Sequence, residues 1–269
     1  MNILEEIIAH TRQEVADRKA LYPVQLLEKS MYYRSPVVSL RSYLLRPDKS
    51  GLIAEFKRHS PSKGDISRFA KVQDVSIGYM MAGASALSVL TDQKYFKGRS
   101  EDLSEARKFN YCPILRKDFV VDEYQIVEAR SIGADAVLLI AEVLEKAEVK
   151  RLAEFARGLG LEVLMEVHSE PQLDKLCEAV SVVGVNNRNL ETFEVNLEAS
   201  ARLAEKIPRE FIKISESGIA TAADAAFLHN HGFQGFLIGE QFMRSSDPAA
   251  ACAKFLKEFN ELVSKEAVA

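Results

Sequence analysis

Gly51-Leu52-Ile53-Ala54-Glu55-Phe56-Lys57-Arg58-His59-Ser60-Pro61-Ser62-Lys63-Gly64 is the stretch on which the fold turns. It opens as an apolar run of strand length, yet Glu55 interrupts the run and Lys57 follows two residues on. Alternate side chains of a strand share a face, so the two charges point the same way. In a parallel sheet covered on both sides that face is interior, and an ionised pair there is costly unless each charge finds a partner. Two readings stand open here. One is a structural ion pair at a strand end; the other is a catalytic acid and base at the mouth of a barrel. The second half, from Ser60 to Gly64, reads as a turn carrying hydroxyls, another cation and a glycine.

Outward from this stretch the chain alternates short apolar runs with amphipathic segments. Eight such runs are present, at residues 52–56, 86–90, 113–116, 136–140, 162–166, 182–185, 211–214 and 235–238, with helical candidates between them. Gly83, Gly133 and Gly232 each stand shortly before a run, where a left-handed residue turns a helix end back toward a sheet. The recurrence reads as one repeated βα unit, and eight of them imply a closed (β/α)₈ barrel with its chemistry at the carboxyl ends of the strands. A doubly wound open sheet is the alternative, but the glycine-rich dinucleotide turn usual after its first strand is missing.

Ahead of the first run, Ile3, Leu4, Ile7, Ile8 and Val15 have helical spacing among charged residues. Leu26 and Leu27 suggest a second helical turn, Ser35-Pro36 breaks it, and residues 40–45 suggest a third. Residues 1–47 therefore read as a helical extension and 48–269 as the barrel. With 269 residues, 47% of them hydrophobic, the chain can fill a single core of that kind. A net charge of −4 without a basic block argues against nucleic acid or an anionic membrane as main partner. Cys112, Cys177 and Cys252 are too few and too scattered for a disulfide framework, which fits a reducing cytoplasm. The acidic start, Met1 to Glu6, lacks the basic character of a targeting peptide, and no apolar run approaches the ~18 residues of a membrane span. The expectation is a soluble, untargeted, cytoplasmic protein.

Polar residues converge on the expected strand ends. Glu55 and Lys57 follow the first run, Thr91 to Gly98 the second, Lys117-Asp118-Phe119 the third, and Glu166-Val167-His168 the fifth. Asn186 to Leu190 follow the sixth, Ser215 to Gly218 the seventh, and Gly239-Glu240 the eighth. A lone Lys or Glu at a strand end is usually just solvated. Seven ends out of eight carrying polar groups on one face point to a site. His229 and His231, two apart at a helix end, lack the further ligands a metal would need and read as helix-terminal residues. Cys112 reads as a packed thiol.

Six of these motifs, in order, resemble those of indole-3-glycerol-phosphate synthase: the run from Glu55 to Gly64, Lys117-Asp118-Phe119, Glu166-Val167, Asn186 to Phe193, Glu216-Ser217-Gly218-Ile219, and Leu237-Ile238-Gly239-Glu240. The chain departs from the family pattern at His59 and at Gln241-Phe242. The resemblance implies a cofactor-free, metal-free barrel that closes, decarboxylates and dehydrates 1-(2-carboxyphenylamino)-1-deoxyribulose 5-phosphate to indole-3-glycerol phosphate in tryptophan biosynthesis. It implies Lys117 as general acid and Glu166 as general base, with Glu55 and Lys57 as a second pair; which pair serves which step stays open. Asn186 and Ser217 complete the catalytic lining. For substrate binding it implies Phe96, Phe119 and Leu138 as walls for the anthranilate ring, and Arg188 for a planar anion. Ser60, Gly218 and Gly239 fall to the phosphate, with Leu190, Glu216, Ile238 and Glu240 around them. The extension is expected over the barrel mouth. A small phosphorylated substrate is the expected partner of a monomer, associating at most weakly with neighbouring pathway enzymes. An isomerase of phosphosugars is the rival enzyme reading, and a paralogue that binds without turnover is the non-catalytic one; the charges at Glu55, Lys57, Lys117 and Glu166 speak against both.

Overall fold

Eight parallel strands close on themselves in the computed structural model, which describes residues 3–61, 63–189 and 194–266. The strands are Leu52–Phe56, Ala86–Leu90, Ile114–Lys117, Ala136–Ile140, Glu162–Val167, Val182–Asn186, Ile212–Glu216 and Gly235–Ile238. Each pairs with its neighbours in sequence, and the eighth closes on the first with Leu52 opposite Phe236. The helices Val72–Ala82, Ser100–Phe109, Glu123–Ile132, Lys146–Gly158, Leu197–Ala204, Ala222–Asn230 and Pro248–Glu266 supply the outer layer. This is the (β/α)₈ barrel expected from the repeat.

Strand parity explains the two-sided hydrophobicity of the runs. Leu52, Ala54 and Phe56 of the first strand join the core shared with the outer helices, whereas Ile53 joins Leu115, Leu138, Leu164, Ile214 and Leu237 inside the barrel. Glu55 shares the inward side with Ile53 and is buried. Strands three, five, six and seven run one residue or more beyond the expected ends, because Lys117, Val167, Asn186 and Glu216 still pair across the ladder. Pro113 and Phe211 fall outside their strands.

Among the described residues, the connections after the first, fifth and eighth strands carry elements of their own. After the first strand, His59–Ser60 and Gly64–Asp65 pair antiparallel as a small hairpin where the sequence suggested only a turn. After the fifth strand stands a 3₁₀ helix, Glu170–Lys175, with Pro171 in its first turn. After the eighth, a single turn, Glu240–Met243, precedes the long C-terminal helix. Gly83 and Gly133 cap their helices in the left-handed conformation, and Gly232 takes it one residue past its helix cap.

The extension divides between the two ends of the barrel. Helix Ile3–Leu21 brings Ile3, Leu4 and Ile7 to the cavity at the mouth. Helix Leu40–Leu44 is set into the opposite end, where Leu40 and Leu44 are buried against the inner core and Ser39 and Arg41 bond to Glu162 at the start of the fifth strand.

Candidate active site

A cavity of about 250 Å³ opens at the carboxyl ends of the strands. Lys117, last residue of the third strand, shares the inward face with Leu115. Its ammonium lies 2.9 Å from Glu166 Oε2 and 3.3 Å from Glu216 Oε2. Burial alone would lower the Lys117 pKa, but the carboxylates of Glu166, Glu216 and Glu55 outweigh it and hold the ammonium charged well above the usual range. The lysine is thus a firmly protonated group inside a largely apolar chamber.

The two carboxylates around it are driven apart. For Glu166, burial raises the pKa, but the Lys117 charge, nearby His168 and a 2.9 Å hydrogen bond from Asn186 Nδ2 overcome it and bring the group down to about 2. Glu216 is raised to about 7, because its burial and the charge on Glu166 outweigh the pull of Lys117. Titratable groups set apart in this way within one cleft are a recurring sign of acid–base chemistry. The sixth strand carries a glycine beside the Glu216 carboxylate: a Cβ on Gly184 would lie 2.0 Å from Glu216 Oε1 and 3.0 Å from Leu164 Cδ2, so a side chain there would displace the carboxylate from this position.

At the end of the first strand, opposite the fifth across an eight-stranded barrel, Lys57 Nζ lies 2.8 Å from Glu55 Oε1, and Ser88 Oγ donates to Glu55 Oε2 at 3.4 Å. Phe96 and Phe119 stand with ring centroids 6.0 Å apart, and Leu138 joins them on the cavity wall. Arg188 places a guanidinium nitrogen 3.8 Å from Glu240 Oε2, and Arg244 approaches the same carboxylate at 3.0 Å. Ser217 is a non-glycine residue with φ +66°, followed by Gly218 at +68°, a costly conformation of the kind that gathers at functional sites. The Ser60 hydroxyl is buried beside the cavity with no hydrogen-bond partner among the described residues.

Residues 4–255 match the family model described as indole-3-glycerol phosphate synthase. The chain belongs to that family. A curated indole-3-glycerol phosphate synthase from Bacteroides thetaiotaomicron is 45% identical over 256 residues, spanning 95% of this chain and 98% of that protein. Among solved structures, the tryptophan synthase alpha subunit from Legionella pneumophila is similar with a TM-score of 0.60 at 13% identity, covering 84% of this chain and 98% of its own. Thiamine phosphate pyrophosphorylase from Pyrococcus furiosus gives 0.60 at 17% identity over the same shares. At such low identity these two speak for the fold alone. Membership of the synthase family makes the chain a decarboxylating lyase of tryptophan biosynthesis.

Against that family's residues as read from the sequence, Glu55, Lys57, Ser60, Phe96, Lys117, Phe119, Leu138, Glu166, Asn186, Arg188, Glu216, Ser217, Gly218, Ile238, Gly239 and Glu240 all line the cavity. Leu190 lies outside the described residues, as does Ser62. Sequence reasoning noted His168 at the end of the fifth strand but gave it no role; its Nε2 is 3.4 Å from Glu166 Oε1, and its place two residues after Glu166 was the available signal. Ile3, Leu4 and Ile7 were not named as cavity residues either, although the extension that carries them was expected over the mouth, since helical spacing gives a buried face but not which side chains reach the site. Among the described residues no helix is long and apolar enough to cross a membrane.

Proposed function

We propose that Lys117 protonates the substrate ketone during ring closure while Glu166 acts as the base, and that Lys57, held by Glu55, protonates the hydroxyl lost in the later dehydration. The single observation that carries this reading is the Lys117 ammonium seated 2.9 Å and 3.3 Å from Glu166 and Glu216 in one cavity. Ring closure turns a carbonyl oxygen into a hydroxyl, and a positioned cationic acid stabilises the charge that develops there. Dehydration needs a base and an acid on opposite faces of the new ring. The first and fifth strands lie across the barrel from each other, which suits Lys57 and Glu166 to those two tasks.

The anthranilate ring is received by Phe96, Phe119 and Leu138, and its carboxylate by Arg188, whose planar fork suits a planar anion. The phosphate is taken by the turns after strands seven and eight, at Gly218 and Gly239, with the Ser60 hydroxyl as an added donor. Asn186 orients Glu166, and Ser217, Glu216, Ile238 and Glu240 complete the enclosure. The protein acts as a monomer in the cytoplasm, with only weak contact to neighbouring pathway enzymes.

The chain contains no Trp, so newly formed indole emits over a dark protein background. Mixed with 1-(2-carboxyphenylamino)-1-deoxyribulose 5-phosphate in the presence of chelator and without added cofactor, the protein is expected to give a rising indole signal matched mole for mole by carbon dioxide. A protein that only binds would shift the anthranilate emission without producing indole. Well-folded, saturated protein giving no indole would overturn this function.

A further inference from the structure

Arg116 is fully buried one residue before Lys117, on the opposite side of the strand, and nothing in the proposed chemistry uses it. Its guanidinium donates to Thr91 Oγ1 at 3.0 Å, to the Gln125 carbonyl at 2.8 Å, to Asp118 Oδ2 at 3.0 Å and to Glu128 Oε2 at 2.6 Å. Asp118 also accepts from Thr91 Oγ1 at 2.5 Å and from the Phe119 amide at 2.8 Å. The residues on either side of Lys117 are therefore tied to each other and to the second strand end. With both neighbours fixed, the Lys117 side chain leaves the strand in one direction, inward toward Glu166 and Glu216.

The same cluster reaches the extension. Glu128, on helix Glu123–Ile132, accepts on both carboxylate oxygens from Arg18 Nη1, each at 3.1 Å. Arg18 sits in the last turn of helix Ile3–Leu21, the helix that lends Ile3, Leu4 and Ile7 to the cavity. Lys19 pairs with Asp122 at 2.7 Å, and the Tyr124 hydroxyl donates to the Tyr22 carbonyl at 2.9 Å, so this helix end is fastened at three points.

We infer that the bridge Arg18–Glu128–Arg116 is a positioning device for the reaction, coupling the seating of the N-terminal helix over the cavity to the placement of Lys117. Without the Glu128 charge, buried Arg116 would keep Asp118 as its carboxylate partner, so its balance would tip toward the residue that follows Lys117, and a buried ion pair is sensitive to such a loss. A displacement of about 1 Å at a catalytic group can cost on the order of 10²-fold in rate. The inference rests on Lys117 acting as the acid proposed above.

Glu128→Gln keeps the shape but removes the charge that joins the two arginines, and it is expected to lower kcat about tenfold with KM changed less than about twofold. Arg18→Gln touches only the partly exposed end of the bridge and should fold readily; it is expected to raise KM several-fold with a smaller fall in kcat. Arg18→Lys should recover most of that loss. A purely structural bridge would instead lower the melting temperature while leaving KM at 25 °C untouched, since KM does not depend on how much of the protein is folded. Lys117→Ala, assayed in parallel, separates the two readings. If it turns over like the parent, the acid assignment fails. If it is inactive while Glu128→Gln and Arg18→Gln keep the parent's kcat and KM, the coupling is overturned and the acid stands.

Discussion

At the scale of single residues the site is a set of charges that could not be buried separately. Lys117 is held charged by three carboxylates, so its removal takes away the proposed acid and leaves Glu166 and Glu216 facing each other. Lys117→Ala is expected to lower kcat by at least ~10²-fold with a smaller change in KM, and near-parental turnover in steady-state kinetics would remove it from the mechanism. The phosphate is a separate question, and Gly239 is a poor place to ask it. A Cβ there would stand 2.7 Å from Glu55 Cβ, so any larger residue disturbs the catalytic pair along with the anion. Ser60 offers a cleaner change, because its buried hydroxyl has no hydrogen-bond partner to orphan among the described residues. Ser60→Ala is expected to raise KM several-fold, to weaken competitive inhibition by inorganic phosphate, and to leave kcat within about threefold. Unchanged phosphate inhibition would move the anion elsewhere. The charged members of this site were legible because period-two spacing put Glu55 with Lys57 on one strand face. The need for Gly184 was not, since it depends on a carboxylate from the neighbouring strand. The bridge from Arg116 through Glu128 to the extension was equally hidden, since Arg18 stands 110 positions from Glu128 in the chain.

At the scale of elements, the strands were readable to within a residue or two because their apolar runs are bounded by glycines and polar ends. The hairpin and the 3₁₀ helix were not, since each is too short to show a period. Periodicity made the extension legible as helices, and only the family resemblance put it over the mouth; helix Ile3–Leu21 does reach the cavity there, whereas helix Leu40–Leu44 lies at the opposite end. That placement matters for dividing the chain at residue 48. Removing residues 3–22 strips Ile3, Leu4 and Ile7 from the cavity roof and leaves the eight strands closed, so such a chain is expected to fold, with kcat/KM reduced at least tenfold. A chain starting at Asp48 also loses Leu40 and Leu44 from the opposite end of the inner core. Burial of those two side chains contributes on the order of 3–6 kcal/mol, enough to lower the melting temperature by many degrees. Equal melting temperatures for the two truncations in a calorimeter would show that the plug is dispensable and that residues 48–269 stand alone as a folding unit.

At the scale of the whole molecule, eight repeats made the barrel legible, whereas the balance of charge inside it depends on distances between strands that only closure creates. That balance makes stability depend on pH in a predictable direction. Glu216 is pushed up to about 7 from an ordinary value near 4.5, so between those values the folded chain holds a proton that the unfolded chain has released. Its contribution to stability is therefore fully present below about pH 4.5 and is lost as pH rises through about 7. Glu166, brought down to about 2, works in the opposite sense: its contribution is present above about pH 4.5 and is lost as pH falls toward 2. The two windows barely overlap, so they can be separated by substitution. Glu216→Gln keeps a group of the same shape beside Lys117 but does not ionise, and the variant should escape the loss above pH 4.5. Its melting temperature relative to the parent is expected to rise steadily from pH 5 to pH 7.5, the full span corresponding to a free energy on the order of 3 kcal/mol. Below pH 4.5 the difference between the two proteins should become flat. Parallel melting curves for parent and variant across pH 5 to 7.5 would mean that Glu216 is ionised in the folded chain throughout, and that the charge on Lys117 outweighs its burial.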